Sequence, residues 1–208
     1  MLERLNLDDK VVLVTGGGTG LGFGMVMALA EAGANLAIAG RRQQPIDDAA
    51  DSVKQLGRDA VAISADVSDS SQVADLVSKT LAHYGRIDVL INNAGISIPV
   101  AVDSDDYGAA WDKVVAVLLT AQIMMIRAAL PHLRAAECGR IVNIASTEGL
   151  GATRYGSPYT AAKTGVIGLT RSLAVELGRE AITVNCICPG PINTGMTAGI
   201  PEENKVIF

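Results

Sequence analysis

The apolar run VVLVT at 11–15 leads straight into TGGGTGLGFG, and the helix-forming MVMALAEAG follows. A run with no polar alternation is what a strand needs when both faces of its sheet are covered, as in a parallel sheet. So dense a cluster of glycines at the end of the strand makes a sharp turn into a helix. Such a turn can take positive φ angles, lets a phosphate approach the backbone, and aims unpaired helix N–H groups at it. The spacing is T-G-x-x-x-G-x-G on Thr15, Gly16, Gly20 and Gly22. A register starting at Gly18 matches too, but the earlier one puts its first glycine at the end of the strand. Gly16, Thr19, Gly20, Leu21 and Gly22 are therefore the candidates for holding a pyrophosphate.

The strand–turn–helix unit recurs. Further strands read at 35–40, 60–65, 88–92, 140–145 and 182–188, and further helices at 46–57, 70–84, 111–136 and 157–177, with Pro131 near the end of the third. Strands alternating with helices at this spacing predict an α/β fold with a parallel sheet. No linker, repeat or low-complexity tract interrupts it, so residues 1–208 are expected to form a single domain. An apolar fraction of 49% excludes a disordered chain. The net charge of -5 argues against nucleic acid as a partner. No apolar run reaches bilayer length without polar or glycine interruption, so no membrane partner is expected. The mixed, acidic MLERLNLDDK is neither a signal nor a transit peptide. Cys138, Cys186 and Cys188 lack metal-ligand spacing, so no metal is expected. Cys186 and Cys188 alternate along a strand and read as a buried thiol pair. A reducing, cytoplasmic setting fits. His83 and His132 read as surface or helix-end residues.

The end of the second strand selects between dinucleotides. An acid there would bond a ribose 2′-hydroxyl, whereas arginine accommodates a 2′-phosphate. Here Gly40 is followed by Arg41 and Arg42, which favours NADP(H) over NAD(H); a plain surface pair is the other reading. Asp66, with Val67 beside it, either reaches the adenine amino group or caps the next turn.

With the glycine pattern, NNAG at 92–95, Ser146, Tyr159-x-x-x-Lys163 and PGPINT at 189–194 in this order, nearly the whole chain resembles the short-chain dehydrogenase/reductase family. Within it the chain is similar to 3-oxoacyl-acyl-carrier-protein reductases and related alcohol dehydrogenases. The resemblance implies a single Rossmann-like domain, a doubly wound parallel sheet with helices on both faces and strand order 3-2-1-4-5-6. It implies hydride transfer between nicotinamide and a small-molecule ketone or secondary alcohol, with Ser146, Tyr159 and Lys163 catalytic. The spacing puts Tyr159 and Lys163 on one helical face, where an ammonium would lower the pKa of the phenol. Ala161 and Ala162 between them would permit close helix packing. Ser146 follows a strand and would steady charge on the substrate oxygen. By the same resemblance Asn92, Ala94 and Gly95 line the cofactor, Lys163 also binds its ribose, and Pro189, Gly190, Ile192 and Thr194 flank the nicotinamide amide.

Two departures stand out. Leu118 occupies the position where the family usually has an asparagine that holds a water linking the lysine to solvent. The sequence also stops at IPEENKVIF, before the helix and seventh strand that family members commonly add. It therefore reads either as an incomplete chain or as a short form. These departures motivate a second reading, a nicotinamide-binding module with little catalysis. The helix at 111–136 is apolar almost all round, and the resemblance implies pairing across a two-fold axis, hence a homodimer or homotetramer.

Overall fold

The computed structural model describes residues 6–195. Strands β1 (Val11–Thr15), β2 (Asn35–Gly40), β3 (Ala60–Ser64), β4 (Val89–Asn92), β5 (Arg140–Ile144) and β6 (Thr183–Ile187) form one sheet in the order β3-β2-β1-β4-β5-β6. Every neighbouring pair is parallel. The connecting helices are α1 (Gly20–Glu31), α2 (Gln43–Gln55), α3 (Ser70–Tyr84), α4 (Tyr107–Val115), α5 (Ala121–Ala135) and α6 (Ser157–Leu177). The expected Rossmann-like order is therefore observed. It reverses direction between β1 and β4, and that reversal opens a crevice at the carboxyl ends of the strands.

Alternate residues of the apolar strands serve two cores. Leu13, Ala37, Leu90 and Ile141 pack with Leu76, Met125, Ile126, Leu133 and Leu173, which come from α3, α5 and α6. Val12, Val14, Leu36, Ile38 and Ile91 pack on the opposite face with Val26, Ile46, Ala49 and Val53 of α1 and α2. Strand β1 has no polar alternation because neither of its faces meets water.

Two helices differ from expectation. Helix α2 starts at Gln43, three residues before the expected 46. Gln43 and Gln44 donate to Asp47 and Asp48 one turn on, and Pro45 is tolerated in a first turn whose N–H groups have no helical partner. The helix expected at 111–136 begins at Tyr107 and is not uniform, because Ala116–Thr120 is a π-helical turn between α4 and α5. Taken whole, and with its polar interruptions, Tyr107–Ala135 is long and apolar enough by composition to cross a membrane. In the fold its Leu118, Met125, Ile126, Ala129 and Leu133 are buried, so it serves as a core helix.

The amino ends of three strands meet at Asp88, which is 2% exposed. Its N–H donates to Val11 O at 2.9 Å, and its Oδ2 accepts from Val11 N at 2.9 Å. Its carbonyl accepts from Arg140 N, and Arg86 donates Nε and Nη2 to its two carboxylate oxygens. Removing the carboxylate would leave Val11 N–H unpaired in a dry place. Arg86 is half exposed, so its share of the pair is discounted for solvent. Asp88→Ala is expected to lower unfolding free energy by about 2–3 kcal/mol, read as a lower urea midpoint at unchanged slope. A midpoint within error of the parent would remove Asp88 from this role.

Candidate active site

The glycine turn adopts the earlier of the two registers. Gly16 and Gly20 have φ of 66° and 55°, a region that side chains rarely enter. Gly22 is needed for a different reason: a Cβ there would lie 2.0 Å from Gly16 O. Gly24, which ends the alternative register, faces open space. Helix α1 starts after Thr19, whose side chain makes no capping bond, so the first-turn N–H groups stay available to an anion.

The turn is fastened to the end of β4. Thr15 Oγ1 accepts from the N–H groups of Asn93 and Ala94 at 3.0 and 3.1 Å. Asn93 Nδ2 also donates to Thr15 O and Gly16 O, both at 3.0 Å. The residue expected in this place, Asn92, lines no cavity. It is buried in the sheet and donates to Asn143 Oδ1 at 2.9 Å, while Asn143 donates to Thr170. Asn93 was missed because adjacent asparagines at a strand end carry no signal of which one faces outward.

A cavity of ≈ 1030 Å³ runs along the carboxyl ends of the strands, with a second of ≈ 340 Å³ beside it. Gly16, Thr19, Ala94 and Gly95 border both, and Gly20, Leu21 and Gly22 border the larger. Arg41, Arg42, Asp66 and Val67 gather around the smaller. Asp66 Oδ1 accepts from both N and Oγ of Ser68, at 2.9 and 2.6 Å. The Ser68 hydroxyl is the main reason its carboxyl titrates below the usual range, and Arg41 adds to the effect. Asp66 thus both caps its turn and lines the cavity.

At the other end of the larger cavity stand Ser146, Tyr159 and Lys163. Ser146 leaves β5 as an N-cap, its Oγ accepting from Glu148 N at 3.1 Å. That leaves its proton available towards Tyr159 across the cavity wall. Tyr159 and Lys163 share one face of α6, with Nζ 5.6 Å from the ring centroid. Here the structure corrects the expected electrostatics. Burial, the largest effect, raises the phenol above its ordinary value, and Glu148 raises it further; the Ser146 hydrogen bond is what pulls it down. Lys163 is 3% exposed, and its Nζ donates to Ile144 O at 2.7 Å. Burial lowers its pKa to about 8.

Ala162 packs with Leu118 and Tyr159, but Ala161 is exposed, and the close approach expected of the two alanines falls to Gly165. A Cβ on Gly165 would lie 2.9 Å from Leu119 of the π turn. Leu118 itself is fully buried and forms part of the cavity wall beside Gly95, an apolar surface at the position where the family resemblance implies an asparagine. Pro189, Gly190, Ile192 and Thr194 close the wall above Gly20. Cys186 and Cys188 do share a face, packed on Val166 and Ile167, but both are half-buried rather than buried, and Cys138 is exposed. Glu148, which sequence reasoning passed over, also lines the cavity.

The chain is similar to known proteins. A family described as short chain dehydrogenase matches residues 10–205. The chain is 35% identical to a D-beta-hydroxybutyrate dehydrogenase of Rhizobium meliloti, covering 95% of this chain and 81% of that one. It is 36% identical to a meso-2,3-butanediol dehydrogenase of Serratia marcescens, covering 98% and 80%. The solved levodione reductase superposes with a TM-score of 0.87 at 38% identity, covering 91% of this chain and 74% of that one.

The buried Lys163 gives stability a pH dependence that can be isolated. Its folded pKa of about 8 lies below the 10.5 of an unburied lysine. Below about pH 8, folding must therefore bury a cation. Between about 8 and 10.5 the unfolded chain holds a proton that the folded one has released, so stability rises with pH. Comparison with Lys163→Met should show the parent gaining about 3 kcal/mol on the variant across that window. Urea titrations at pH 7, 8.5 and 10 measure it, and a pH-independent difference would contradict it.

Proposed function

The chain belongs to the short-chain dehydrogenase family, and from that premise we propose that it is an NADP(H)-dependent oxidoreductase interconverting a ketone and a secondary alcohol. The observation that carries this reading is the meeting of Ser146, Tyr159 and Lys163 at one cavity wall, with Lys163 buried one turn behind the phenol. Related chains named for hydroxybutyrate, butanediol and levodione support alcohol and ketone substrates in general without favouring one.

The residues present fit a nicotinamide dinucleotide. Two left-handed glycines, a third whose Cβ would strike Gly16 O, and an uncapped helix start suit a pyrophosphate. Arg41 and Arg42 beside the smaller cavity, with Gly40 in place of an acid, favour a 2′-phosphate. Lys163 and the loop carrying Pro189, Gly190, Ile192 and Thr194 would hold the nicotinamide end. When bound in reduced form, the cofactor supplies a hydride to the carbonyl carbon.

The chain's own contribution is to manage the proton and the charge on oxygen. Tyr159, with its phenol above its ordinary pKa, is protonated at neutral pH and able to donate to the substrate oxygen. Ser146, oriented by Glu148 N, would donate a second hydrogen bond to that oxygen as charge develops. A protonated Lys163 would stabilise the phenolate left behind. Leu118 and Ala162 keep the wall around Tyr159 apolar, which strengthens these interactions.

Tyr159→Phe should lower kcat/KM with any ketone that turns over by about a thousandfold, with dinucleotide binding unchanged. Retained turnover would disqualify the phenol as the acid. Arg41→Ala combined with Arg42→Ala should weaken NADPH binding by about tenfold or more and leave NADH nearly untouched, as titration of cofactor fluorescence would show. An unchanged preference would sink the choice of NADP(H).

A further inference from the structure

Glu148 places a carboxylate in the wall of the same cavity as Ser146 and Tyr159, away from the glycine turn. Its Oε2 accepts from Thr153 Oγ1 at 2.8 Å and from Thr160 Oγ1 at 3.5 Å. No residue among those described donates to its Oε1. Its charge reaches the reacting end of the cavity, because it acts on the Tyr159 phenol.

The charges around the cavity are lopsided. Among the described residues its walls carry only Arg42, Glu148 and Lys163 as full charges. Arg42 sits at the glycine-turn end, which it shares with the smaller cavity. Lys163 is buried and committed to Ile144 O. Arg154 lies over the Tyr155 ring at 4.6 Å and is not part of the wall. A substrate carboxylate held near Ser146 would therefore face Glu148 with no cation to offset it. An uncharged substrate with a hydroxyl near its carbonyl would instead find a free acceptor in Oε1.

We propose that Glu148 is a specificity-determining residue, selecting uncharged hydroxy ketones and the matching diols over substrates that carry a carboxylate. The proposal rests on the oxidoreductase reading above. That reading leaves the substrate open, since the relatives' names include both an acid and a neutral diol.

Three probes separate charge from hydrogen bonding: 3-hydroxy-2-butanone, 2-butanone and acetoacetate, each assayed with NADPH. The parent should prefer the hydroxy ketone over 2-butanone, and either over acetoacetate. Glu148→Gln keeps an acceptor for Thr153 and Thr160 and removes only the charge. It should raise kcat/KM for acetoacetate by about tenfold through KM, and leave 2-butanone within about twofold. Glu148→Val should abolish the advantage of the hydroxy ketone over 2-butanone. Better turnover of acetoacetate than of the hydroxy ketone by the parent would overturn the proposal. Ratios that neither variant alters would do so as well, leaving the oxidoreductase reading in place. Absence of turnover with all three probes and with a wider panel of ketones would overturn both.

Discussion

The site depends on the clasp between the first and fourth strands. At that point the sheet reverses its order, so the loops leaving β1 and β4 diverge to opposite faces and leave a gap. Four hydrogen bonds hold the edges of the gap together, all donated by Asn93 and Ala94 and accepted by Thr15 and Gly16. The bonds use Thr15 Oγ1 and Nδ2 of Asn93, both side-chain groups, so the two loops are joined where no strand ladder could join them. Gly22 can then lie against Gly16 O, and α1 can aim its first turn along the crevice. The glycines make the phosphate cradle possible, and the clasp gives it a fixed position relative to β4 and β5.

The chemistry at the other end imposes a cost on the fold. Lys163 is buried without an acidic partner, its Nζ given only to Ile144 O, and its pKa falls for that reason. The phenol beside it is raised by the same dryness. Burial thus moves a cation and an acid towards their neutral forms, opposing the simple picture of an ammonium acidifying a phenol. In this environment the hydrogen bond from Ser146 matters more than the lysine four residues away. A neutral phenol suits proton donation, and so suits reduction, while the reverse reaction would require the phenolate that burial disfavours.

Much of this was legible in the sequence. Each strand was marked by an apolar run, and β1 came out with the expected bounds because a strand buried on both faces has no alternative pattern to confuse it. The gathering of Ser146, Tyr159 and Lys163 at one cavity was legible because Tyr159 and Lys163 lie one helical turn apart and Ser146 follows a strand. Other features leave no such mark. Nothing in VLLTAQ shows that the hydrogen bonding shifts to a π turn at Ala116–Thr120, since all these residues are compatible with an ordinary helix. The choice of Asn93 over Asn92 depends on which side of the sheet each faces once the strand ends. Glu148 carries no mark in the sequence, and only the fold brings it to the wall shared with Tyr159.

The π turn also bears on what the missing asparagine means. Leu118 is fully buried in that turn, and Gly95 and Gly165 are the points where its helix meets the NNAG loop and α6. Without side chains, both glycines let Leu118 and Leu119 close on their neighbours at contact distance. A polar residue at 118 would need a partner in a place walled by Ala121, Ala162 and Val114. The leucine is therefore consistent with its surroundings and stabilises the helix contact that positions α6. The cavity wall that Leu118 shares with Lys163 is apolar at this position, and its polar lining comes from other residues, Ser146 and Glu148 included.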